Sequence, residues 1–253
     1  MLALVSDIHA NLEALQAVLA KVDELQPEQL VCLGDVVGYG ASPVECIQEI
    51  RKRASVWIRG NHEHGILFYA QDFNPRAKAA LDWTRKQIRS LESPGLRAEI
   101  WMALDATPEA ASLQDGRILL VHGSPSDPIR EYVLPRAASD PQKLARWFKD
   151  MGKHQICFLG HSHIPAVLFE DGGVFLPTEE NPAVDVAGRR CIVNAGSVGQ
   201  PRDGNTKACF VTLEGEGKVT FHRVAYDLKS AVDRIRAVPQ LPESLAERLE
   251  MGR

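Results

Sequence analysis

The chain has 253 residues, 45% of them hydrophobic and 25% charged, the balance of a soluble globular protein able to bury a sizeable core. A formal charge of −4 excludes broad, sequence-independent nucleic-acid binding, which needs a basic surface to displace counterions, yet leaves room for a local basic pocket. No run approaches the roughly 18 to 20 apolar residues of a membrane span, and the opening stretch lacks the basic region of a signal peptide.

Residues 2–6 form an apolar run that fits a buried parallel strand. Asn11 is placed to cap a helix, in which Leu12, Leu15, Val18, Leu19 and Val22 recur at helical spacing to about residue 25. A strand over 30–33 broken by Gly34, a helix over 43–53 and a strand over 55–58 broken by Gly60 follow. Strand, helix, strand, helix, strand predicts a parallel sheet with right-handed crossovers. From about 64 to 104 strand signals vanish. Helices over 75–91 and 97–104 are expected, with Ser93-Pro94-Gly95 as a turn between them. This stretch reads as a helical insertion near the site, or as helices covering the core of the same domain.

The second half is mostly strands. Residues 110–113 and 118–122 flank Asp115-Gly116, a hairpin turn. A helix over 142–151 precedes strands at 156–159, 166–170, 173–176, 190–194, 208–213 and 218–224, and helices over 228–238 and 242–251 end the chain. Two packed sheets flanked by helices, in a single domain over 1–253, is the expected architecture. Cys32, Cys46, Cys157, Cys191 and Cys209 are odd in number and widely spaced, most of them set in apolar runs. They read as buried free thiols in a reducing cytoplasm, ahead of disulfides or a thiolate zinc site.

Five segments share one arrangement, an apolar strand that stops with metal-binding side chains directly after it. They lead to Asp7 and His9, to Asp35, to Asn61 and His62, to His122, and to His161 and His163. Sites in α/β sheets lie beyond the carboxyl ends of strands, so five scattered strand ends can converge on one place. Imidazoles mixed with carboxylates suit divalent ions such as manganese, iron, zinc or nickel. Asp7 and His9 stand two apart and share a face if the chain is extended there, and His161 and His163 repeat the spacing. Asp35 has two carboxylate oxygens and can bridge two cations about 3.5–4 Å apart. Five of the eight histidines fall in these segments, which sets a joint pattern against the ordinary fate of a lone histidine as a hydrogen-bonded structural residue.

At these residues the chain resembles the calcineurin-like metallophosphoesterase superfamily, whose blocks stand here in order as DIHAN (7–11), GDVVGYG (34–40), GNHE (60–63), VHGSP (121–125) and GHSH (160–163). NAGSVGQPR (194–202) is similar to a further block of the small bacterial and archaeal phosphoesterase branch. The resemblance implies an α/β fold, a four-layer α/β/β/α sandwich of two mixed β-sheets flanked by helices. It also implies a division of ligands. Asp7, His9, Asp35 and His163 hold one metal, and Asp35, Asn61, His122 and His161 the other. Manganese is the favoured ion. Protein-phosphatase relatives carry an aspartate three residues after the counterpart of Asp35, where this chain has Gly38; that departure weakens an inference toward phosphoprotein substrates.

Two cations sharing a hydroxide lower its pKa and supply a nucleophile near neutral pH. His62 resembles the family's catalytic histidine and serves the departing alkoxide, the other reading being a structural neighbour of the ligands. Arg202 is a candidate phosphate clamp, with Arg130 and Arg59 weaker ones. Ser197 and Asn194 shape a turn or merely hold it, and Tyr39 and His64 are minor candidates for substrate contact. The expected activity is hydrolysis of a phosphodiester or phosphomonoester, with a small phosphate ester or nucleotide as substrate. A covalent Asp7 nucleophile is disfavoured, because the required second aspartate is replaced by His9. The non-enzymatic alternative is a metal-binding scaffold for protein–protein interaction, which would ordinarily lose ligands or the counterpart of His62.

Overall fold

The computed structural model describes residues 1–68, 70 and 73–253. The first quarter alternates as its pattern predicts: β1 (Leu2–Val5), α1 (Leu12–Leu25), β2 (Gln29–Cys32), α2 (Pro43–Arg53) and β3 (Val56–Trp57). Helices α3 (Asn61–Leu67), α4 (Pro75–Arg89) and α5 (Pro94–Asp105) follow, then β4 (Ala110–Leu113) and β5 (Ile118–Val121). A 3₁₀ turn at Pro135–Ser139 leads into α6 (Pro141–Asp150), β6 (Ile156–Leu159), β7 (Ala166–Phe169), β8 (Val174–Phe175), β9 (Ala183–Asp185) and β10 (Cys191–Asn194). The long hairpin β11 (Ala208–Glu214) and β12 (Lys218–Val224) precedes α7 (Leu228–Arg236) and α8 (Glu243–Met251).

Among the described residues the strands form two six-stranded mixed sheets, ordered β3-β2-β1-β11-β12-β9 and β4-β5-β6-β10-β7-β8. Strict alternation of side chains builds the layers. Leu2 and Leu4 of β1 face Ile156 and Phe158 of β6 in the space between the sheets, while Ala3 and Val5 face α1 and α2 on the other side. On the second sheet, Cys157 and Leu159 turn outward to meet Leu144, Trp147 and Phe148 of α6. Four layers result, helix, sheet, sheet, helix. Phe158 is fully buried at the centre, a position where removing a phenyl ring costs about 3–5 kcal/mol.

Within the first sheet β1 runs parallel to β2, and β2 to β3; within the second, β5 runs parallel to β6, and β6 to β10. Their carboxyl ends therefore gather along one edge of the sandwich, which decides where chemistry can be placed. The start of α1 is fixed there too. Asn11 accepts from the Ala14 N–H at 3.1 Å as its N-cap, and its amide donates to the Gly199 carbonyl at 3.0 Å.

Three local expectations change. Ser93-Pro94-Gly95 is a helix start, not a turn: Ser93 caps α5 by accepting from Leu96 N at 3.2 Å, and Pro94 occupies the first helical position, where its missing N–H costs nothing. Strand β9 escaped the pattern because three residues carry no period, and only pairing with distant β12 defines it. Helix α3 lies outside the helices expected at 75–91 and 97–104, although Glu63 at its third position is a helix-start signal. The expected helical stretch over 64–104 includes residues 69, 71 and 72, which lie outside the described residues.

Candidate metal centre

Two turns at the ends of β1 and β2 interlock by backbone alone. Asp7 N–H donates to Gly34 O at 3.0 Å, His9 N–H to Asp35 O at 2.9 Å, and Ala10 N–H to Val36 O at 2.8 Å. These bonds hold the chain in an uncommon conformation. Asp7, His9, Asp35, His161 and His163 all have positive φ, between 49° and 63°. A residue with a Cβ loses about 1–2 kcal/mol in this region, so each persists only where surrounding bonds over-determine it. The expectation that Asp7 and His9 share a face through extended chain is therefore corrected. They converge because the backbone turns left-handed at both positions.

The side chains meet at the edge of the sandwich, nearly free of solvent. Asp7, His9 and His163 present ligand atoms within 4.8 Å of one another, as do Asp35, His122 and His161, and also His9, Asp35 and His62. Asp35 is central: its Oδ2 lies 3.3 Å from His122 Nε2, 3.8 Å from His9 Nε2 and 4.0 Å from His62 Nε2. Asn61 Oδ1 stands 3.0 Å from His122 Nε2. All seven predicted ligand positions are thus brought together, with His62 beside them.

Ring tautomers follow from what each outer nitrogen touches, since a carbonyl can only accept. Nδ1 faces Val37 O at 3.1 Å in His9, Leu33 O at 2.8 Å in His122 and Gln200 O at 2.5 Å in His163. Each Nδ1 carries the proton, and each Nε2 turns toward the cavity. His161 is reversed: its Nε2 donates to Arg130 O at 2.9 Å, leaving Nδ1 inward. Backbone carbonyls behind metal-binding imidazoles serve this purpose generally.

This leaves acceptors facing acceptors. His9 Nε2 and His163 Nε2 are 3.0 Å apart, and Asp7 Oδ1, fully buried and without a hydrogen bond, lies 3.0 Å from His163 Nε2. His122 Nε2 likewise faces the Asn61 and Asp35 oxygens. Such a set demands positive charge. With protons alone available, burial pulls the His122 imidazole down, but the Asp35 carboxylate outweighs it and pushes the ring up to about 10. Burial works against Asp35 as well, and His122 and His62 still hold its carboxyl well below the ordinary range. A divalent cation satisfies the same lone pairs, so the donor set fits metal ions, and protons compete with them for the site.

His62 differs from the others. Burial pushes it down to about 4, so the ring is neutral near pH 7. Its Nδ1 is buried with no hydrogen-bond partner, and its ring packs edge-on against Tyr39 at 4.6 Å and Phe73 at 5.3 Å. Gly38 explains the missing partner, because a Cβ at that position, where φ is +83°, would fall on His62 Nδ1. An acid at 38 is thus sterically excluded here. Restoring it by Gly38→Asp is expected to weaken the protein by about 1–3 kcal/mol in urea unfolding and to lower turnover, not raise it.

Glu63 carries a role that the sequence reading missed. Fully buried, it accepts from Asp35 N at 2.8 Å, Gly60 N at 2.9 Å and Val36 N at 2.7 Å. It clamps the Asp35 turn to the start of α3. Burial, with the Asp35 charge adding to it, raises the Glu63 carboxyl to about 7. The signal available was its place three residues after Gly60, half of a capping box. Glu63→Gln leaves at least one of these N–H groups facing an amide NH₂. A loss of about 1–3 kcal/mol in equilibrium unfolding is expected, with no change in the unfolding slope.

The lesser candidates sort by contact. Ser197 donates to Asp7 O at 2.8 Å, and Asn194 Nδ2 donates to Gly160 O at 2.6 Å, so both brace ligand turns. Arg59 is spent on Thr107 and the Asp105 carbonyl, holding the end of α5. His64 packs on Phe68, outside the three clusters. Tyr39 lies against His9, with ring centroids 4.5 Å apart. Arg202 stands beside Tyr39 and donates its backbone N–H to His163 O.

The calcineurin-like phosphoesterase superfamily domain matches residues 1–218. An uncharacterized protein of Methanocaldococcus jannaschii is 36% identical over 259 residues, spanning 100% of this chain and 98% of that protein. Among solved structures, a metallophosphoesterase from Sphaerobacter thermophilus superposes with a TM-score of 0.83 at 35% identity, covering 100% of this chain and 98% of that one. A hypothetical protein from Pyrococcus horikoshii superposes with a TM-score of 0.75 at 24% identity, over 100% and 99% of the two chains, a likeness of fold.

Proposed function

Because the chain belongs to the calcineurin-like phosphoesterase superfamily, we propose that it is a dinuclear metal-dependent hydrolase of a small phosphodiester or phosphomonoester. The observation that carries this reading is the pair of buried clusters Asp7-His9-His163 and Asp35-His122-His161, which turn imidazole nitrogens and carboxylate oxygens toward one another, with Asp35 also within reach of His9. Asp7, His9, Asp35 and His163 would hold one ion, and Asp35, Asn61, His122 and His161 the second. Manganese is favoured, and iron, zinc or nickel suits the same donors. When bound, two such ions supply a water of lowered pKa and neutralise the phosphate's non-bridging oxygens.

The chain's own residues do the rest. The carbonyls of Val37, Leu33, Gln200 and Arg130 fix the four imidazoles in one tautomer each. Glu63 and the interlocked turns keep Asp35 from drifting. His62, neutral near pH 7, offers an N–H to the leaving oxygen, as a neutral imidazole can in other enzymes. Arg202 steadies the phosphate. The chain reads as one domain over 1–253, in which the helical insertion from 64 to 104 adds Ile66, Leu81 and Ile100 to the core under α1 and α2. No helix among the described residues is long and apolar enough to cross a membrane. All five thiols are buried and free, which suits a reducing, cytoplasmic setting.

The test is hydrolysis of bis(p-nitrophenyl) phosphate by chelator-stripped protein, with and without added manganese. Turnover that appears only with metal is the expected result. Silence from protein shown by metal analysis to hold its ions would favour the scaffold reading instead.

A further inference from the structure

Among the described residues, three aromatic side chains touch the histidines of the metal centre. Tyr39, against His9 and His62, is buried in one apolar cluster with α7 and α8, and Phe73, against His62, is partly covered. Tyr132 is the open one. Its ring lies on His161 with centroids 3.9 Å apart and planes 18° from parallel, yet 47% of the residue is exposed. A stack that close covers one face of the phenol ring, so the exposed surface is mainly the opposite face and the edge.

The segment that carries this ring is tightly bonded. After β5 the chain doubles back: the His122 and Gly123 N–H groups both donate to Pro128 O, at 3.0 and 2.7 Å, and Asp127 Oδ1 accepts from Ile129 N at 3.2 Å and Arg130 N at 3.0 Å. Glycine at 123 permits the approach, because a Cβ there would lie 2.5 Å from Asp127 O. Glu131 and Val133 then turn toward α6. The Glu131 carboxylate accepts from Trp147 Nε1 at 2.8 Å, from the Ser124 hydroxyl and from the Arg146 guanidinium, and Val133 is buried in one cluster with Leu144 and Trp147. Between these two anchors Tyr132 is turned onto His161, while the Arg130 carbonyl accepts the His161 Nε2–H at 2.9 Å. One short segment thus aims a candidate ligand imidazole and sets a flat, open face beside it.

We propose that Tyr132 is a specificity-determining residue, a stacking platform at the metal centre for an aromatic ring carried by the substrate, so that esters of a nucleoside or an aryl group are preferred over sugar and alkyl phosphates. This rests on the phosphoesterase reading and adds the substrate class to it. His161, under the platform, shares a cluster with Asp35 and His122, so a phosphate held by that cluster has the Tyr132 face within reach of its ester group. A second ring laid on that face removes apolar surface of both rings from water and meets it in an offset or edge-on geometry, which a short alkyl group or a sugar cannot match.

The experiment titrates metal-loaded protein calorimetrically with two pairs, AMP against ribose 5-phosphate and phenylphosphonate against methylphosphonate, for wild type, Tyr132→Ala and Tyr132→Phe. Wild type is expected to bind the ring-bearing member of at least one pair about fivefold or more tighter, Tyr132→Phe to keep that preference, and Tyr132→Ala to bring the pair within about twofold. A preference in the first pair alone assigns the platform to a nucleobase, and one in the second alone to an aryl group; either supports it. No preference in either pair overturns the proposal, as does a preference that survives Tyr132→Ala or one that is lost in Tyr132→Phe. An equal loss for both members of a pair also overturns it, being the mark of a ring that only braces His161. If Tyr132→Ala does not fold, Tyr132→Leu takes its place, since it keeps apolar bulk without the ring. Binding is read without turnover. A ring preference in protein that hydrolyses no ester would count against the phosphoesterase reading alone, and equal binding by an active enzyme against the platform alone.

Discussion

Asp35→Asn is expected to lower turnover of bis(p-nitrophenyl) phosphate by about a thousandfold or more, roughly 4 kcal/mol of transition-state stabilisation. The substitution is nearly isosteric, so the effect has to come from charge and lone pairs. Asp35 Oδ2 lies within 4.0 Å of the inner nitrogens of His9, His62 and His122, and Oδ1 accepts the His62 backbone N–H at 2.8 Å. An amide keeps one acceptor and turns the other position into a donor aimed at nitrogens that already need a cation. Metal content by plasma emission should fall together with kcat, while circular dichroism stays native. Near-wild-type turnover in metal-replete buffer would remove Asp35 from the centre of the mechanism.

His62→Ala should behave differently, losing about 10²- to 10⁴-fold in turnover while metal content is retained. The backbone N–H that reaches Asp35 survives the substitution, so the ligand turn keeps its anchor. What disappears is the ring beside Asp35 and Tyr39, and with it the donor to the leaving oxygen. The loss should grow as the leaving group becomes more basic, larger for an alkyl ester than for a nitrophenyl ester, because an acidic phenol departs with little help. An equal loss on both esters would deny His62 that role. Parallel loss of metal would make it a ligand instead, which its closeness to His9 and Asp35 allows.

Much of this centre was legible because strand ends and histidines are local signals. Leu4-Val5 before Asp7 and Phe158-Leu159 before His161 announce a buried strand and then chemistry, and parallel pairing does bring those ends to one edge. What was not legible is how the ligands are aimed. Asp and His adopt left-handed backbone more readily than most residues, but that preference does not say which of them will; at Asp7, His9 and Asp35 it goes with bonds between turns almost thirty residues apart, such as His9 to Asp35. Glu63 was passed over for a related reason, being a surface residue by composition that becomes fully buried once three backbone N–H groups surround it.

The ligands are divided between the layers. Asp7, His9, Asp35 and Asn61 follow β1 to β3 of one sheet, and His122, His161 and His163 follow β5 and β6 of the other. Neither sheet alone holds the whole proposed set, so ions bound there would be captured only after the two layers have docked. Such ions would rivet one layer to the other, and loaded protein should resist layer separation as a matter of rate. Unfolding followed by stopped flow should slow on loading, with refolding speed nearly unchanged, since the ions stabilise a contact that the transition state has yet to make.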